Sequence, residues 1–524
     1  MKILSPEDAK GVDRKLSATY GIDEILLMEN AGNDTYELIK SILDDKINQS
    51  RFIIICGVGN NGGDGLVVAR KLLKHTNEVY VLIIGDTQKF TPSTKKNYEI
   101  LSKLTNNIHL LNPSSDLEGF KTQLDEYLKN FTSDEVIIID ALLGIGIRPP
   151  LREDIALVVQ SINALRKHRI KILSIDLPSG FISSFDKGDV LSNNTVVNAD
   201  YTITFFSIKA GMFLPEVKRF TGNITVSTLG LSADFIDTLV EHNTFYLTSS
   251  DVRILKRDVS SNKGSNGRVI VIGGSDKYFG ASILVSKSAS KTAVGYIIAF
   301  VLEKFNQTMK VACPDVVSIP VPSGDRGYFS EGDARFILDQ EVIKDSDVLI
   351  IGNGLGQNEK TLAFLKTILT STNNILVIDA DGINLLSKDV GILKSMKDKH
   401  RVILTPHLLE FSRLSGFSLD DVKERPFSVG KKFSEDFGIN LVLKDNVNYL
   451  FFYDGDVWIS NLNTPVLARA GTGDILAGLI GGNIAFLKDI KEGVKAGVYM
   501  LGEASKRFEK DMFYPTPIDI IEAL

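Results

Sequence analysis

FIIICGVGNNGGDG, residues 52–65, sets an unbroken apolar run against a glycine-rich turn, and LVVARKLLK (66–74) continues it in a helical pattern. Apolar residues in a row, without polar alternation, predict a strand buried on both faces, as in a parallel sheet covered by helices. A glycine turn between such a strand and a helix presents backbone N–H groups at the positive end of the helix dipole, where phosphate binds. Gly57, Gly59, Gly62, Gly63 and Gly65 allow close backbone approach. The first letters of the turn fit G-x-G-x-x-G, and Asp86, after VYVLIIG, stands near where a ribose-binding acid would be in a plain dinucleotide-binding domain. Asn60, Asn61 and Asp64 go beyond that pattern. A carboxylate at the helix start repels a pyrophosphate unless something positive intervenes, and amide and carboxylate oxygens are hard ligands suited to alkali or alkaline-earth cations. The turn therefore reads as a site for a phosphate-bearing ligand together with a cation.

Further apolar runs follow at 79–85, 136–140, 170–176, 201–206 and 223–230, most of them separated by helical patterns or loops. Ser5-Pro6-Glu7 reads as a helix N-terminus before them. The pattern restarts near residue 247, where TSSDVRILKRD reads as a capped helix, and runs on through VIVIGGS (269–275), DVLIIGNGLG (347–356), NILVIDAD (374–381), RVILTP (401–406), INLVLK (439–444) and YLFFYDG (449–455). The expectation is two α/β domains, residues 1–245 and 246–524, which suits the length of 524 residues. Asp140 and Asp176 fall at carboxyl ends of strands, each followed by a turn, the second containing Ser179. In an open parallel sheet that edge is where ligands bind. Capping a turn is the alternative role for either aspartate alone.

Lys and Arg (59) are interspersed among Asp and Glu (65), so no extended basic footprint for nucleic acid is expected. No stretch approaches the roughly 18 apolar residues of a membrane span, and the N-terminus turns acidic too early for a secretory signal. A soluble, cytoplasmic protein is expected. Two isolated cysteines and six scattered histidines give no metal-ligand spacing.

GVGNNGGDGLVVAR, with LLMENAG (26–32), DALLGIG (140–146) and IDLPSG (175–180), closely resembles the NAD(P)H-hydrate epimerases over most of the first 230 residues. These enzymes interconvert the R and S forms of NADH and NADPH hydrates, which carry water added across the 5,6 bond of the nicotinamide ring. The resemblance implies a Rossmann-like three-layer domain. It implies that Asn60, Asn61, Gly62, Gly63 and Asp64 hold the hydrate, with Gly144, Ile145, Gly146, Ile147, Arg148, Pro149, Pro150 and Asp176 as further contacts. It implies a potassium ion on Asn61, Asp140 and Ser179, and Asp176 is the candidate acid/base for epimerisation at C6.

In the second half, ARAGTGDILAGLIGGNIAF (468–486) places Gly471-Thr472-Gly473 as an anion-binding turn at a helix start, with Asp474 just inside it. Backbone donors there stabilise a phosphoryl group in transfer, and a carboxylate takes a hydroxyl proton. A small-residue turn packing helix on sheet is the alternative. No G-K-[ST] loop occurs, which disfavours a P-loop kinase. KGSNGRVIVIGGSDKYFGA (263–281), GNGLG, VIDADGIN, LTPH, LVLK and GTGDILAG resemble, in order and spacing, the nucleotide-dependent NAD(P)H-hydrate dehydratases of the ribokinase-like fold. Such enzymes phosphorylate the hydrate's hydroxyl from ADP or ATP with magnesium, and loss of phosphate regenerates NAD(P)H. By resemblance Ala281, Gly356, His407 and Asp474 contact the hydrate, with Asp474 as general base, while Lys444, Asp445, Asn446, Val447, Asn448 and Gly473 bind the adenine nucleotide. The chain departs from the family pattern at Ala470 and Thr472 (glycine and serine expected), at Leu408-Leu409 (Pro-Gly), at Asp445 and Asn448 (glycine and threonine) and at Leu501 (histidine). The two halves then make a bifunctional repair enzyme, expected to self-associate. A small-molecule kinase fused to a nucleotide-binding module, or a second half that binds nucleotide without catalysis, are the competing readings.

Overall fold

The apolar runs become strands of two separate sheets in a computed structural model that describes residues 1–112, 117–129, 136–147, 150–166, 170–193, 195–253, 256–396, 398–462, 464–509 and 514–524. Arg148 and Pro149 lie outside the described residues. The chain divides into Met1–His242 and Asn243–Leu524.

In the first unit β1 (Arg51–Cys56), β2 (Val79–Ile84), β3 (Ile108–Leu111), β4 (Val136–Ala141), β5 (Lys171–Ile175), β6 (Tyr201–Phe205) and β7 (Asn223–Ser227) form a sheet in the order β3-β2-β1-β4-β5-β6-β7. Every pairing in it is parallel. Phe52, Ile54 and Cys56 enter one apolar core while Ile53 and Ile55 enter another, so β1 is buried on both faces. This is why its sequence does not alternate. The order reverses between β1 and β4, and the chain leaves these neighbouring strands in opposite directions, opening a crevice at their carboxyl ends.

The second unit holds β8 (Thr244–Tyr246), β9 (Arg268–Ile272), β10 (Tyr296–Leu302), β11 (Val317–Val321), β12 (Val348–Ile351), β13 (Ile375–Ile378), β14 (Val402–Leu404), β15 (Asn440–Leu443), β16 (Asn448–Phe451) and β17 (Val457–Ser460). Their order is β11-β10-β9-β12-β13-β14-β15-β16-β17-β8, parallel from β11 to β15 and antiparallel across β15-β16-β17. The order reverses between β9 and β12, giving a second switch point.

Two expectations need correction. The division falls after His242 rather than at residue 245, because Thr244–Tyr246 pairs with β17 as an edge of the second sheet. TSSDVRILKRD does not make the expected helix start: Thr248 and Asp251 form a capping box, but the 3-10 turn Ser249–Asp251 ends where β-branched Val252 turns extended and packs on the second core. Among the described residues no helix is long and apolar enough to cross a membrane, and both cysteines are buried and free.

Candidate active sites

The first switch point carries a cavity of about 470 Å³. The helix Asn60–Leu72 begins at its edge, and its glycines are required by proximity: a Cβ on Gly62 would lie 1.9 Å from Gly57 O, and one on Gly57 2.0 Å from Leu142 O. Asn60, Asn61, Asp64, Gly144, Ile145 and Asp176 line this cavity. Gly146, Ile147 and Pro150 line an adjoining recess that shares Gly144 and Ile145. Gly62 and Gly63 lie within the buried first turns of the helix.

Asp140 and Ser179 stand behind the wall, both fully buried. Asp140 accepts from Ser174 Oγ and Ser179 N at 2.8 Å, and from Ser179 Oγ at 2.5 Å. Burial nonetheless holds its carboxyl above the ordinary aspartate value. Ser179 Oγ accepts from Leu143 N at 2.9 Å, and Asn61 Nδ2 donates to Leu143 O at 2.9 Å. Asn61 Oδ1 is buried with no protein hydrogen bond. Asp86 accepts from Gln88 N as the cap of a turn and is not among the residues that line the cavity.

Asp176 follows β5 with φ at 63°, a left-handed backbone that a non-glycine residue adopts at a cost of order 1 kcal/mol. Its Oδ1 accepts from Lys209 Nζ at 2.8 Å. Lys209 also donates to Thr204 Oγ1 at 2.8 Å and Phe205 O at 2.7 Å and is 1% exposed. Three more carboxylates, Asp13, Glu24 and Asp64, share the cavity. Burial, then the charges of Asp176, Asp13 and Glu24, push Asp64 well above its usual range. Burial and Asp176 raise Asp13 to about 6. Lys209 escaped sequence reasoning; its signal was a lone lysine in FFSIKAG, a residue type buried only when paired.

A second cavity, of about 660 Å³, is lined by His407, Lys444, Asp445, Asn446, Asn448, Gly473 and Asp474. Gly471 has φ at 99°, and the helix Thr472–Leu487 starts beside it. Val447 is buried, and Ala281 and Gly356 lie off the lining. His407 caps the helix Leu408–Ser415: its Nδ1 accepts from Leu409 N and Glu410 N at 3.2 Å. That fixes a neutral ring with the proton on Nε2, and burial followed by the Lys444 charge lowers its proton affinity. Lys444 Nζ donates to Asp379 Oδ1 at 2.8 Å, as does Thr405 Oγ1. Asn353 Nδ2 donates to Asp379 Oδ2 at 2.9 Å and to Asp474 Oδ1 at 2.7 Å. Burial and the Asp379 charge raise Asp474 to about 7, and burial raises Glu410 to about 7. Burial pulls the Lys444 ammonium down, but Asp379, Glu410 and Asp474 outweigh it and leave it raised. Such a carboxylate beside a glycine turn accepts a proton near neutral pH. Asn353 and Glu410 were not singled out from sequence, because GNGLG drew attention to its glycines and Glu410 to a departure beside it.

Comparison with known proteins agrees with this geometry. The pattern of the family described as NAD(P)H-hydrate dehydratase matches residues 269–524, and that described as YjeF-related protein N-terminus matches residues 24–211. A bifunctional NAD(P)H-hydrate repair enzyme of Dictyoglomus turgidum is 31% identical over 97% of this chain and 94% of its own. One of Methanocaldococcus jannaschii is 31% identical over 100% of this chain and 93% of its own. The crystal structure of an ADP/ATP-dependent NAD(P)H-hydrate dehydratase from Bacillus subtilis, co-crystallised with ATP and magnesium, is 24% identical, covers 52% of this chain and 91% of that one, and gives a TM-score of 0.44. The chain belongs to the family of bifunctional NAD(P)H-hydrate repair enzymes.

Proposed function

We propose that the two activities of this enzyme divide between the two cavities: the first exchanges the R and S hydrates at C6, and the second dehydrates the S form at the expense of ADP or ATP. The observation that carries the assignment is the place of Asp474, a carboxylate held by Asn353 Nδ2 at 2.7 Å in the wall of the second cavity, together with the Gly471–Gly473 turn and Lys444. Asp474 takes the proton of the hydrate's hydroxyl as its oxygen attacks the terminal phosphorus of the nucleotide, and the bridging P–O bond breaks to release AMP from ADP or ADP from ATP. Backbone N–H groups at the start of the helix Thr472–Leu487 face the charge that develops on the phosphoryl oxygens. Phosphate then leaves C6 with the C–O bonding pair, a proton leaves C5, and the 5,6 double bond returns. Hydroxide is a poor leaving group and phosphate a good one, which is why the nucleotide is consumed. Asp445, where the family has glycine, sets a carboxylate in the nucleotide loop and is expected to weaken nucleotide affinity.

In the first cavity Asp176, oriented by Lys209, is the acid/base at C6, and Asn60, Asn61, Asp64, Gly144 and Ile145, with Gly146, Ile147 and Pro150 of the adjoining recess, cradle the dinucleotide. Potassium fits Asn61, Asp140 and Ser179: the donors are hard oxygens, and the buried Asn61 Oδ1 has no protein partner. Bound there, the ion supplies fixed positive charge near the carboxylates and the substrate phosphates. Magnesium travels with the nucleotide, whose phosphates supply hard oxygen ligands.

The test uses mixed R and S NADH hydrate with ADP, magnesium and potassium, followed by the near-ultraviolet absorbance of reduced nicotinamide. Complete recovery with release of phosphate is expected. Asp474→Ala should stop recovery while R and S still exchange. Asp176→Ala should recover the S fraction and then slow to the spontaneous rate of epimerisation. Recovery by Asp474→Ala at the wild-type rate, or a normal second phase in Asp176→Ala, would remove the corresponding assignment.

A further inference from the structure

We infer that Asn353 is a positioning residue of the dehydration, holding Asp474 as an oriented carboxylate by tying it to the buried Asp379–Lys444 pair. This rests on the dehydratase reading of the second cavity. One carboxamide nitrogen donates to both Asp379 Oδ2 and Asp474 Oδ1, at 2.9 and 2.7 Å. Only the NH2 end of the amide can face two carboxylates, since the flipped group would set an oxygen against both. Asp379 is an immobile reference: it is 2% exposed and takes bonds from Lys444 Nζ and Thr405 Oγ1, each 2.8 Å.

The backbone carrying Asn353 is equally fixed. A Cβ on Gly352 would lie 2.1 Å from Asp379 O, and one on Gly354 2.3 Å from Tyr278 O, so the turn after β12 is wedged between two other loops. Asn353 is 1% exposed, yet its Oδ1 takes no hydrogen bond from the protein. A buried acceptor left without a protein donor is destabilising. A residue kept for packing alone would not carry that cost, because leucine fills a similar volume. The amide is retained for what its nitrogen does.

The charged groups around Asp474 are Asp379 and Asp381, which raise its proton affinity, and Lys444, which lowers it alongside the Asn353 hydrogen bond. His407, Glu410, Lys423, Asp445 and Arg469 are the other charged and titratable groups of the cavity wall. Removing the amide leaves Asp474 facing the two other aspartates with one compensating partner fewer.

The experiment is the pH dependence of kcat/KM for S-NADH hydrate at saturating ADP, with the full chain, in wild type, Asn353→Leu and Asn353→Asp. The acid-side midpoint is expected to rise by about one pH unit in Asn353→Leu, an approximately tenfold loss on the acid side, and further in the isosteric Asn353→Asp. Profiles lowered at every pH with the wild-type midpoint would overturn the inference and leave a packing residue. Thermal unfolding shows whether Asn353→Leu is folded; if it is not, Asn353→Asp alone decides by the same criterion. A wild-type enzyme that consumes no hydrate with ADP or ATP would instead remove the dehydratase reading beneath it.

Discussion

Lys209 and Asp474 are both polar groups held out of water, and they respond to removal in opposite ways. The Lys209 ammonium is satisfied by Asp176, Thr204 and Phe205. Lys209→Met leaves Asp176 beside Asp13, Glu24 and Asp64 without its paired ammonium, and breaking a buried pair from one side costs about 3–5 kcal/mol. The expected result is a lower melting temperature for the first unit and loss of enzymatic R/S exchange, read by separating the epimers. Unchanged exchange would detach Asp176 from the chemistry. Asp474 is raised to about 7 by burial and then by Asp379. A carboxyl whose folded value lies above its unfolded value near 4 contributes stability that is full below that lower value and is lost as pH rises through about 7. Asp474→Asn should therefore abolish dehydration and yet stabilise the protein at about pH 8, on the order of 1 kcal/mol, with the gain shrinking toward about pH 5. Melting curves at both pH values check it. Asp140 and Asp176 were legible in the sequence because each falls at the end of a strand, and Asp474 because it follows a glycine turn at a helix start. Lys209 and Asn353 were not, because the carboxylates they hold, Asp176 for the first and Asp379 and Asp474 for the second, lie far away in sequence and only the tertiary fold brings them together.

Helices that begin at both sites are built around glycine, for two reasons that coincide. The helix Asn60–Leu72 needs Gly62 against Gly57 O, and Gly65 against Ala141 and Cys56. The helix Thr472–Leu487 needs Gly478, where a Cβ would lie 2.0 Å from Ser288 Oγ and 2.4 Å from Val285 O, and Gly481, where one would meet Ile350 at 2.4 Å. Close packing was the alternative weighed for the second motif, and it is present alongside the site. Gly62→Ala and Gly478→Val should each destabilise their own unit by about 1–3 kcal/mol or more, the first with loss of epimerisation and the second with loss of dehydration. Unaltered melting in either would mean that the helix shifts freely. At this scale the strands buried on both faces, such as β1 and β12, were legible as apolar runs. Of the edge strands β7 was legible, but two others were not: β11 carries Pro320 and half-exposed Val317, and β3 exposes Leu110, since a strand paired on one side needs neither a full apolar face nor every N–H. The run YIIAFVL of β10 is buried almost throughout, but its periodicity alone suits a buried helix equally well.

For the whole chain, the decisive residues are the few around the division. His242 Nε2 is 2.6 Å from Asp8 Oδ2 and its ring meets Phe185 edge-on, so it belongs with the first unit. Two residues later Thr244–Tyr246 pairs in parallel with β17, Phe245 stacks on Trp458 at 4.6 Å between centroids, Tyr246 OH bonds Asn461, and Leu247 N donates to Ile459 O. Each unit thus has its own sheet, core and cavity. Residues 1–242 and 243–524, expressed separately, are expected to fold and to divide the chemistry. The first piece should equilibrate R and S hydrate without nucleotide. The second should convert S hydrate with ADP or ATP and stop when it is exhausted, and mixing the pieces should restore complete recovery. A cut at 245/246 tests the boundary itself, because it strips Thr244 and Phe245 from the second sheet and exposes Trp458 and the edge of β17. The piece 246–524 should melt below 243–524, by roughly 1–3 kcal/mol of lost stacking, burial and ladder hydrogen bonds. Equal melting temperatures would mean that β8 contributes nothing to the second unit and that the sequence-based boundary serves as well. An epimerisation-competent second piece would mean that the two activities are not divided as the cavities are.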